Sequence, residues 1–499
     1  MQYKSTRGAA ANLSSAEAII KGIASDGGLF VPDSVPAVDL DFITGLVPLS
    51  YEERAARVLG LFLTDYTADE IKGCVERAYG GGKFDTERRA PTRVLEAGNL
   101  AILELWHGPT SAFKDMALQL LPQLMSTALK KTGEKDDVLI LVATSGDTGK
   151  AALEGFCDVP QTKIMVFYPQ GGVSHIQQLQ MLTQAGSNVN VTAVTGNFDD
   201  AQSGVKAIFG DADIAARLAE QGVKLSSANS INWGRLVPQI VYYFSSYADL
   251  LAAGSIEAGQ KINFCVPTGN FGDILAGYYA MRMGLPVNKL ICASNANNVL
   301  TDFLRTGVYD RNRAFHKTIT PSMDILISSN LERLLYHVTG DAARVAGWMQ
   351  ELAATGRYDV GADVLADIQK VFWADWVGDD DTRALIGRAF QNYHYVPDTH
   401  TAVAWEVAEH YRQATGDTAT PLVVVSTASP YKFGVSVLPA LGESVEGLDD
   451  FAILDRLQVV SGTPAPEGLS SLRHKEIRHK DVVAPADMPQ AVLDFASRK

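Results

Sequence analysis

The feature that most constrains the fold is a repeated unit of three parts. A short strand that is apolar on both faces is followed by a turn of small and hydroxyl-bearing residues, and then by a segment of helix length. Strands of this kind lie at 138–144, 163–169, 188–194, 261–267, 289–295 and 421–427. Strands that are apolar on both faces are typical of parallel sheets covered by helices on both sides. The pattern therefore predicts an α/β protein whose ligands bind at the carboxyl ends of the strands.

Composition narrows the class of partner. The chain has 499 residues, of which 46% are hydrophobic and 20% charged, so it is long enough for two or three domains. The formal net charge is −14, which argues against general binding of nucleic acid or anionic membranes. No stretch approaches the ~20 consecutive apolar residues of a membrane span, and the first residues lack a secretory signal pattern. We therefore expect a cytoplasmic protein that binds neither nucleic acid nor membranes, and this charge is compatible with a local cationic pocket for a small anion.

Cysteine and histidine spacing predicts no metal site. The four cysteines form no C-x-x-C pair, and Cys265 and Cys292 lie in apolar strands, where buried free thiols are expected. The nine histidines show no metal-binding pattern. His107 and His400 stand inside conspicuous motifs, and we interpret both as structural residues at turns.

Two regions depart from the strand–turn–helix pattern. Residues 1–95 are mostly helical in pattern, with turns at SDGGLFVP and YGGGKFD. Residues from about 300 to 395 are also dominated by helical segments. The sequence contains no internal repeat and no low-complexity linker.

The turn at 144–149 is the first candidate anion site. Thr144, Ser145, Gly146, Asp147, Thr148 and Gly149 join a buried strand to an alanine-rich helix. Small residues allow close approach of the backbone, the helix start presents unpaired N–H groups, and the hydroxyls add donors. The alternative is an ordinary capped turn between a strand and a helix.

The turn at 268–273 is the second candidate. Thr268, Gly269, Asn270, Phe271, Gly272 and Asp273 again follow a buried strand and precede a helix, without a Walker A or G-x-G-x-x-G pattern. Asp273 is unusual beside an anion, and it would either cap the helix start or accept a hydrogen bond from a neighbouring donor.

Lys114 is a candidate catalytic residue, and its role depends on whether it is buried. It precedes the apolar run from Met116 to Leu124, for which we predict one mostly buried helix with Thr110 or Ser111 as its N-cap. In one interpretation Lys114 extends its ammonium into water. In the other it is buried, loses proton affinity and forms a Schiff base with a carbonyl.

After the strand at 421–427, the Thr427 hydroxyl either caps the strand end or bonds a ring nitrogen.

Together these segments resemble the longer class of threonine synthases. The motifs that carry the resemblance span almost the whole chain in order: YKSTRG, SDGGLFVP, HGPTSAFKDMALQ, ATSGDTG, SSANSINWGR, PTGNFGD, PDTHTA and STASPYKF. The resemblance implies fold type II of the pyridoxal-phosphate enzymes, with two doubly wound open sheets. It also implies a division into an N-terminal, mostly helical region (1–95), a large cofactor-binding domain (96–130 and 236–499, with a helical insertion at about 300–395) and a small α/β domain (131–235).

The same resemblance assigns roles to residues. Lys114 would form the Schiff base with pyridoxal 5'-phosphate, and Thr427 would face the pyridine nitrogen. The cofactor phosphate would lie among residues of the second turn: Gly269, Asn270, Phe271 and Asp273. The first turn would approach the substrate through Thr144, Ser145, Asp147 and Thr148. Asp147 would lie near the phenolic oxygen of the cofactor, where other members of the wider fold carry asparagine, so this acid would need a proton or a partner.

The implied reaction converts O-phospho-L-homoserine and water into L-threonine and phosphate. Lys114 would remove the α-proton and later move a β-proton, while phosphate leaves the γ-carbon and water adds at the β-carbon. Candidate cations for the substrate phosphate are Lys4, Arg7, Arg235 and Lys432, and we favour Arg235. The alternative is a phospho-lyase on the same fold. We expect a monomer or a homodimer.

Overall fold

A computed structural model describes residues 1–9, 12–96, 99–144 and 146–498. The N-terminal region is mostly helical, as predicted, with one small antiparallel pair of strands. Its elements are β1 (Tyr3–Ser5), α1 (Ser15–Lys21), β2 (Phe30–Pro32), α2 (Leu40–Thr44), α3 (Tyr51–Gly60) and α4 (Ala68–Tyr79). Helices α1, α3 and α4 begin at Ser or Thr caps that pair with a glutamate three residues later, which fixes their starts.

The large sheet combines strands from widely separated parts of the chain. Its strands are β3 (Thr92–Glu96), β4 (Leu100–Glu104), β9 (Ile262–Pro267), β10 (Val287–Ser294), β13 (Phe372–Trp376) and β14 (Leu422–Ser426). The order is β13-β10-β9-β14-β4-β3, parallel except for the β3–β4 pair. Strands β9, β14 and β4 are therefore neighbours, and the turns after them open at one edge of the sheet.

The small sheet is parallel throughout. Its strands are β5 (Asp137–Ala143), β6 (Thr162–Pro169), β7 (Val189–Val194), β8 (Val223–Ser226) and β15 (Asp481–Val483), in the order β15-β7-β6-β5-β8. The helices between these strands are α7 (Asp147–Phe156), α8 (His175–Leu182), α9 (Phe198–Gly210) and α10 (Ala212–Glu220).

The remaining helices do not connect strands β5 to β8 of the small sheet. They are α5 (Lys114–Leu118), α6 (Leu121–Thr132), α11 (Trp233–Ala252), α12 (Gly272–Met283), α13 (Val299–Thr306), α14 (Leu331–Thr339), α15 (Ala342–Thr355), α16 (Ala362–Val371), α17 (Asp379–Tyr393), α18 (Thr399–Thr415), α19 (Gly434–Ala440), α20 (Asp450–Ser461), α21 (Glu467–Ser470) and α22 (Met488–Ala496). Strands β11 (Val308–Asp310) and β12 (Arg357–Asp359) pair antiparallel within the helical insertion. Turns of 3₁₀ helix lie at Pro321–Met323, Pro430–Phe433, Ser471–His474 and Pro485–Asp487. Within the described residues, no helix is both long enough and apolar enough to cross a bilayer.

Both sheets are buried on both faces, as the apolar strands predict. In β5, Ile140 packs into a core shared with the N-terminal helices, whereas Leu139 and Leu141 face a second core on the other side. In β9, Phe264 joins the shared core and Cys265 faces the core under α18. The alternation places helices on the two sides of each sheet.

The C-terminal segment corrects the domain division drawn from the sequence. Residues 236–499 are assigned there to the large domain, yet β15 pairs with β7 and becomes an edge strand of the small sheet. Helix α22 then packs Met488, Val492 and Phe495 against the outer face of that sheet. The strand at 481–483 has only three residues and is mostly exposed, so it shows no apolar run and only the tertiary structure reveals its partner.

The predicted single helix after Lys114 is wrong, because the chain forms two helices. Helix α5 ends at Leu118, and α6 begins at Leu121 with Pro122 in its first turn, where proline is favoured. Neither Thr110 nor Ser111 caps α5: Phe113 stands at the N-cap without a side-chain hydrogen bond, and Ser111 has φ of 59°.

Candidate active site

Two loops that follow strands of the large sheet pair to position Lys114. The Phe113 N–H donates to the Thr427 carbonyl oxygen at 2.8 Å, and the Ser429 N–H donates to the Ser111 carbonyl oxygen at 3.1 Å. Ala112 and Ala428 form an isolated antiparallel bridge between these bonds. The predicted Schiff-base lysine and the predicted ring-nitrogen partner therefore lie on adjacent, hydrogen-bonded loops at the ends of β4 and β14.

The turn before Lys114 is locked by Asp115. Its carboxylate accepts from the Thr110 N–H at 2.8 Å and from the Thr110 hydroxyl at 2.7 Å. Burial raises the pKa of Asp115 to about 6, against these two hydrogen bonds, which lower it. Asp115 therefore organises the loop, a role that the sequence analysis did not assign.

Lys114 is enclosed rather than extended into water. Its side chain is 11% exposed, and its ammonium lies 4.0 Å from Asp147 Oδ2 and 5.1 Å from the centre of the Phe113 ring. Burial lowers the pKa of Lys114 to about 8; Asp147 opposes the shift, and the charges of Arg235 and Lys432 add to it. A lysine with this pKa is neutral for about one-tenth of the time at pH 7, far more often than an exposed lysine.

Asp147, at the start of α7, lies between two lysines. Lys432 Nζ is 2.7 Å from Asp147 Oδ1, and the Gln177 amide donates to the same oxygen at 3.0 Å. Burial opposes ionisation of Asp147, but the charges of Lys432 and Lys114 outweigh it and hold the pKa of this carboxyl far below its usual range. The sequence analysis expected Asp147 to need either a proton or a partner. In the structure the partner is Lys432.

The other hydrogen-bonding groups of the first turn mostly bond one another. The Thr144 hydroxyl accepts from the N–H groups of Gly146 and Gly149, at 3.0 and 3.1 Å, and donates to the Gly146 carbonyl oxygen. Thr148, the second residue of α7, is half-buried. Ser145 lies outside the described residues. Thr144 thus shapes the turn instead of offering a ligand donor.

The second turn has the geometry of an anion nest. Phe271 has φ of 63°, the left-handed region that a residue other than glycine rarely adopts, and it precedes α12 without a side-chain cap. A Cβ at Gly269 would lie 2.8 Å from the Ser322 carbonyl oxygen, so the turn requires glycine there. Asn270 at its tip is exposed. Uncapped N–H groups at a helix start suit a phosphate, and this donor set fits the cofactor phosphate without a cation.

The Asp273 carboxylate is occupied by donors from helix α11. Its Oδ1 accepts from the hydroxyls of Tyr242 and Tyr243, at 2.6 and 2.8 Å. Burial raises the pKa of Asp273 to about 6, against these two hydrogen bonds. Of the two roles considered for this acid, accepting from a neighbouring donor is confirmed. Only the backbone of residue 273 can then contribute to a nest.

Residues 320–330 of the insertion cover the nest. The Ser328 hydroxyl donates to the Gly269 carbonyl oxygen at 2.8 Å, and the Asn330 N–H donates to the Asn270 carbonyl oxygen at 3.0 Å. The Ser322 N–H donates to Nε2 of buried His400 at 3.2 Å. His400 therefore supports the turn against Gly269, in agreement with a structural role.

The candidate cations differ in how completely they are paired. Arg7 forms a two-point ion pair with Glu332, and Lys4 lies over the Tyr336 ring. Arg235, in the first turn of α11, is buried and donates to the Ala228 carbonyl oxygen at 2.7 Å, with no carboxylate partner in the ranges that the structure describes. Its charge lowers the pKa of Lys114, so it faces the same site.

His107 lies outside this cluster. Its ring nitrogens bond the carboxylates of Asp85 and Glu104, at 2.5 and 2.9 Å. Burial disfavours the charged ring, but the two carboxylates outweigh it and raise the pKa of His107 to about 9. A charged histidine held by two acids is a structural link. No group of acidic, histidine and cysteine side chains with metal-binding geometry occurs in the described parts of the chain.

Sequence reasoning named Lys432 only as a candidate for the substrate phosphate, and it did not anticipate the roles of Asp115, Tyr242 and Tyr243. A partial signal existed for Lys432, since it follows Thr427 in STASPYKF at the end of a buried strand. The two tyrosines read as part of a buried helix, and nothing in their spacing links them to Asp273, 31 and 30 residues away.

Family models match most of the chain. The model for the threonine synthase N terminus matches residues 2–79, the model for pyridoxal-phosphate-dependent enzymes matches residues 87–364, and the model for the threonine synthase C-terminal region matches residues 401–492. The pyridoxal-phosphate model covers both candidate anion turns and Lys114.

Individual proteins agree with these models. The chain is 42% identical over 436 residues to threonine synthase-like 1 of Pongo abelii, covering 85% of this chain and 58% of that protein's length. It is 41% identical over 450 residues to threonine synthase of Pseudomonas aeruginosa, covering 88% of this chain and 92% of that protein. The structure of threonine synthase from Brucella melitensis with bound pyridoxal phosphate superposes with a TM-score of 0.88, at 37% identity and with 99% of each chain covered.

The matched models, the identity along most of the chain and the shared fold agree with the geometry of the site. The chain therefore belongs to the threonine synthase family of pyridoxal-phosphate-dependent enzymes.

Proposed function

We propose that this chain is a threonine synthase that converts O-phospho-L-homoserine and water into L-threonine and phosphate. The observation that carries the proposal is the enclosed Lys114, with its lowered pKa, beside a buried arginine that lacks a carboxylate partner. The coverage of 92% of the Pseudomonas enzyme, against 58% of the threonine synthase-like protein, favours the synthase over the phospho-lyase.

Residues at the carboxyl ends of the large sheet would hold the cofactor. Lys114 would form the Schiff base, Thr427 would adjoin the ring nitrogen, and backbone N–H groups of Gly269, Asn270 and Phe271 would hold the phosphate. The left-handed Phe271 and the uncapped α12 support this assignment. When bound, pyridoxal phosphate supplies an electron sink for the carbon that bears the substrate amine.

Lys114 is the proposed base for the proton transfers. It would remove the α-proton and later move a β-proton, while phosphate leaves the γ-carbon and water adds at the β-carbon. A pKa of about 8 keeps the neutral and charged amine both populated near neutral pH, which suits a group that takes and returns protons. Enclosure of Lys114 also limits competing protonation by solvent.

Arg235 is the proposed partner of the substrate phosphate. A guanidinium with five donors suits a phosphate, and the absence of a carboxylate partner in the described ranges leaves its charge available. Arg7 is a weaker candidate because Glu332 already neutralises it.

We also propose a cytoplasmic location, which the four free cysteines support.

Product analysis tests the function. The protein, loaded with pyridoxal phosphate, is supplied with O-phospho-L-homoserine, and threonine and inorganic phosphate are quantified. Equal amounts of the two products are expected. Phosphate with a keto acid would instead establish the phospho-lyase, and release of neither product would reject both.

Substitution of Lys114 tests the assigned base. Lys114→Ala is expected to lower kcat by at least ~10²–10⁴, the usual contribution of a positioned base. Lys72→Ala is the matched control, because Lys72 is 70% exposed and its nearest carboxylate is 3.8 Å away. Near-normal turnover by Lys114→Ala would reject the assignment.

Substitution of Arg235 tests the phosphate contact. Arg235→Gln is expected to raise KM for O-phospho-L-homoserine by about 10-fold or more, since hydrogen bonds to charged groups contribute about 1.5–3 kcal/mol. Lys4→Gln serves as the control. A larger effect of Lys4→Gln on KM would transfer the role to the N-terminal strand.

A further inference from the structure

Two buried lysines face one carboxylate, and they approach it unequally. Lys432 Nζ lies 2.7 Å from Asp147 Oδ1, within hydrogen-bonding distance. Lys114 Nζ lies 4.0 Å from Asp147 Oδ2, beyond that distance. The carboxylate is therefore bonded to Lys432, and the amine of Lys114 has the looser contact.

The position of Lys432 is fixed from both domains. It lies in the 3₁₀ turn Pro430–Phe433, after β14 of the large sheet, and its side chain is 1% exposed. Its ammonium also donates to the Thr110 carbonyl oxygen at 2.9 Å, in the loop that leads to Lys114. Asp147 belongs to α7 of the small domain, so the ion pair crosses the boundary between the domains.

The charges around Lys114 come from four elements. Asp147 on α7 and Asp115 on α5 favour its protonation, whereas Arg235 on α11 and Lys432 after β14 disfavour it. Without Lys432, the carboxylate of Asp147 would have Lys114 as its nearest cation. A full ion pair there would keep the ammonium charged and hold it away from its chemistry.

We propose that Lys432 is a positioning residue that occupies Asp147 and thereby keeps Lys114 available as a neutral amine. The inference rests on the proposed function of Lys114, and it adds a second lysine that is required although it performs no proton transfer. At the position of Asp147, a neutral amide would need no charged partner. This role of Lys432 explains why an aspartate can stand there instead. Lys432 is accordingly not the ligand of the substrate phosphate.

The test follows the reactivity of Lys114 in the apoprotein, so it needs neither substrate nor turnover. Reductive methylation is carried out across a range of pH, and the modification of Lys114 is quantified by mass spectrometry of its peptide. In Lys432→Met, the midpoint of reactivity is expected to rise by about one to three pH units, the range that a newly formed ion pair produces. The rate near pH 7 then falls by about tenfold or more.

Two further variants separate this effect from a loss of folding. Asp147→Asn is expected to move the midpoint of Lys114 in the opposite direction, because it removes the carboxylate. The double variant Asp147→Asn with Lys432→Met removes both charges of the pair, so neither partner is left behind as an unpaired buried charge. Its midpoint is expected to lie below that of Lys432→Met alone, since the ion pair responsible for the increase cannot form.

Either of two results would overturn the proposal: an unchanged midpoint in Lys432→Met, or the same rise in Lys432→Met and in the double variant. The test is independent of the proposed function. A protein that makes no threonine, but shows the opposite shifts, would retain the role of Lys432 and lose only the assigned reaction. A protein that makes threonine without these shifts would retain the reaction and lose the inference.

Discussion

The two strand–turn–helix units at the ends of β5 and β9 have the same plan and opposite electrostatics. Each places an aspartate in the first turn of the following helix, Asp147 in α7 and Asp273 in α12. Asp147 faces the cations Lys432 and Lys114, which hold it ionised. Asp273 faces two tyrosine hydroxyls, and burial raises its pKa to about 6. The same local motif thus holds one acid whose pKa is lowered and one whose pKa is raised, because the neighbours come from distant parts of the chain.

Because the two aspartates have different partners, the two turns have different roles. The first turn uses its side-chain carboxylate, which contacts two lysines and links the end of the small sheet to loops of the large sheet. In the second turn the carboxylate is directed toward α11, and the backbone N–H groups remain for an anion. A phosphate beside an ionised, unpaired aspartate would be repelled, and here the two tyrosine hydroxyls bond the carboxylate on the side of α11.

The largest effect that separates the two acids is expected for stability. Asp147→Ala leaves the buried ammonium of Lys432 without its carboxylate, and breaking a buried pair in this way costs about 3–5 kcal/mol. Asp273→Ala removes an acceptor for two hydroxyls, for which about 1–3 kcal/mol is expected. Urea unfolding of the two apoproteins at pH 7 measures both. A greater loss in Asp273→Ala would reverse the comparison.

The pH dependence of stability gives a smaller and more specific effect. The folded-state pKa of Asp273 lies above its unfolded value, so the native state binds the proton more tightly and stability falls as pH rises from about 4 to 6. A shift from 3.8 to about 6 corresponds to roughly 3 kcal/mol across that window. Asp273→Asn cannot ionise, so its stability relative to the wild type should increase through this range and then level off.

The matched measurement on the other acid has the opposite sign. The folded-state pKa of Asp147 is depressed, so its contribution to stability is complete above its unfolded pKa of about 3.8 and is lost as pH falls below that value. The stability difference between Asp147→Asn and the wild type should therefore stay constant from about pH 5 to 6, below the range in which Lys114 titrates. A slope there, or no slope for Asp273→Asn, would contradict the assigned environments.

The smallest effect is expected from one hydroxyl. Tyr242→Phe removes one of the two hydrogen bonds to Asp273 and should cost about 0.5–1.5 kcal/mol. Because that bond lowers the pKa of Asp273, its loss should move the pH-dependent window upward. Urea unfolding at several pH values measures both changes. Tyr247→Phe, whose hydroxyl bonds the Gln260 carbonyl oxygen instead, should leave the window in place.

Much of the fold could be predicted from the apolar runs that form the strands. Each of the apolar runs, from 138–144 to 421–427, corresponds to a strand whose bounds differ by at most two residues, because a sheet buried on both faces requires continuous apolar sequence. The break between α5 and α6 was missed, since residues on both sides of it are equally buried and Pro122 is acceptable in a first turn. Strands β11, β12 and β15 have three residues each, too few to show a comparable apolar pattern.

The sequence by itself determined the α/β class, the turns at the carboxyl ends of β5, β9 and β14, and the family, whose motifs are local and ordered. The tertiary structure decided what each charged group in those turns faces. Asp147 and Lys432 are 285 residues apart in number, and Asp273 reaches its tyrosines only because α11 packs beside α12. Protonation depends on burial and on charges within a few ångströms, and folding brings these together from positions that the linear order leaves unrelated.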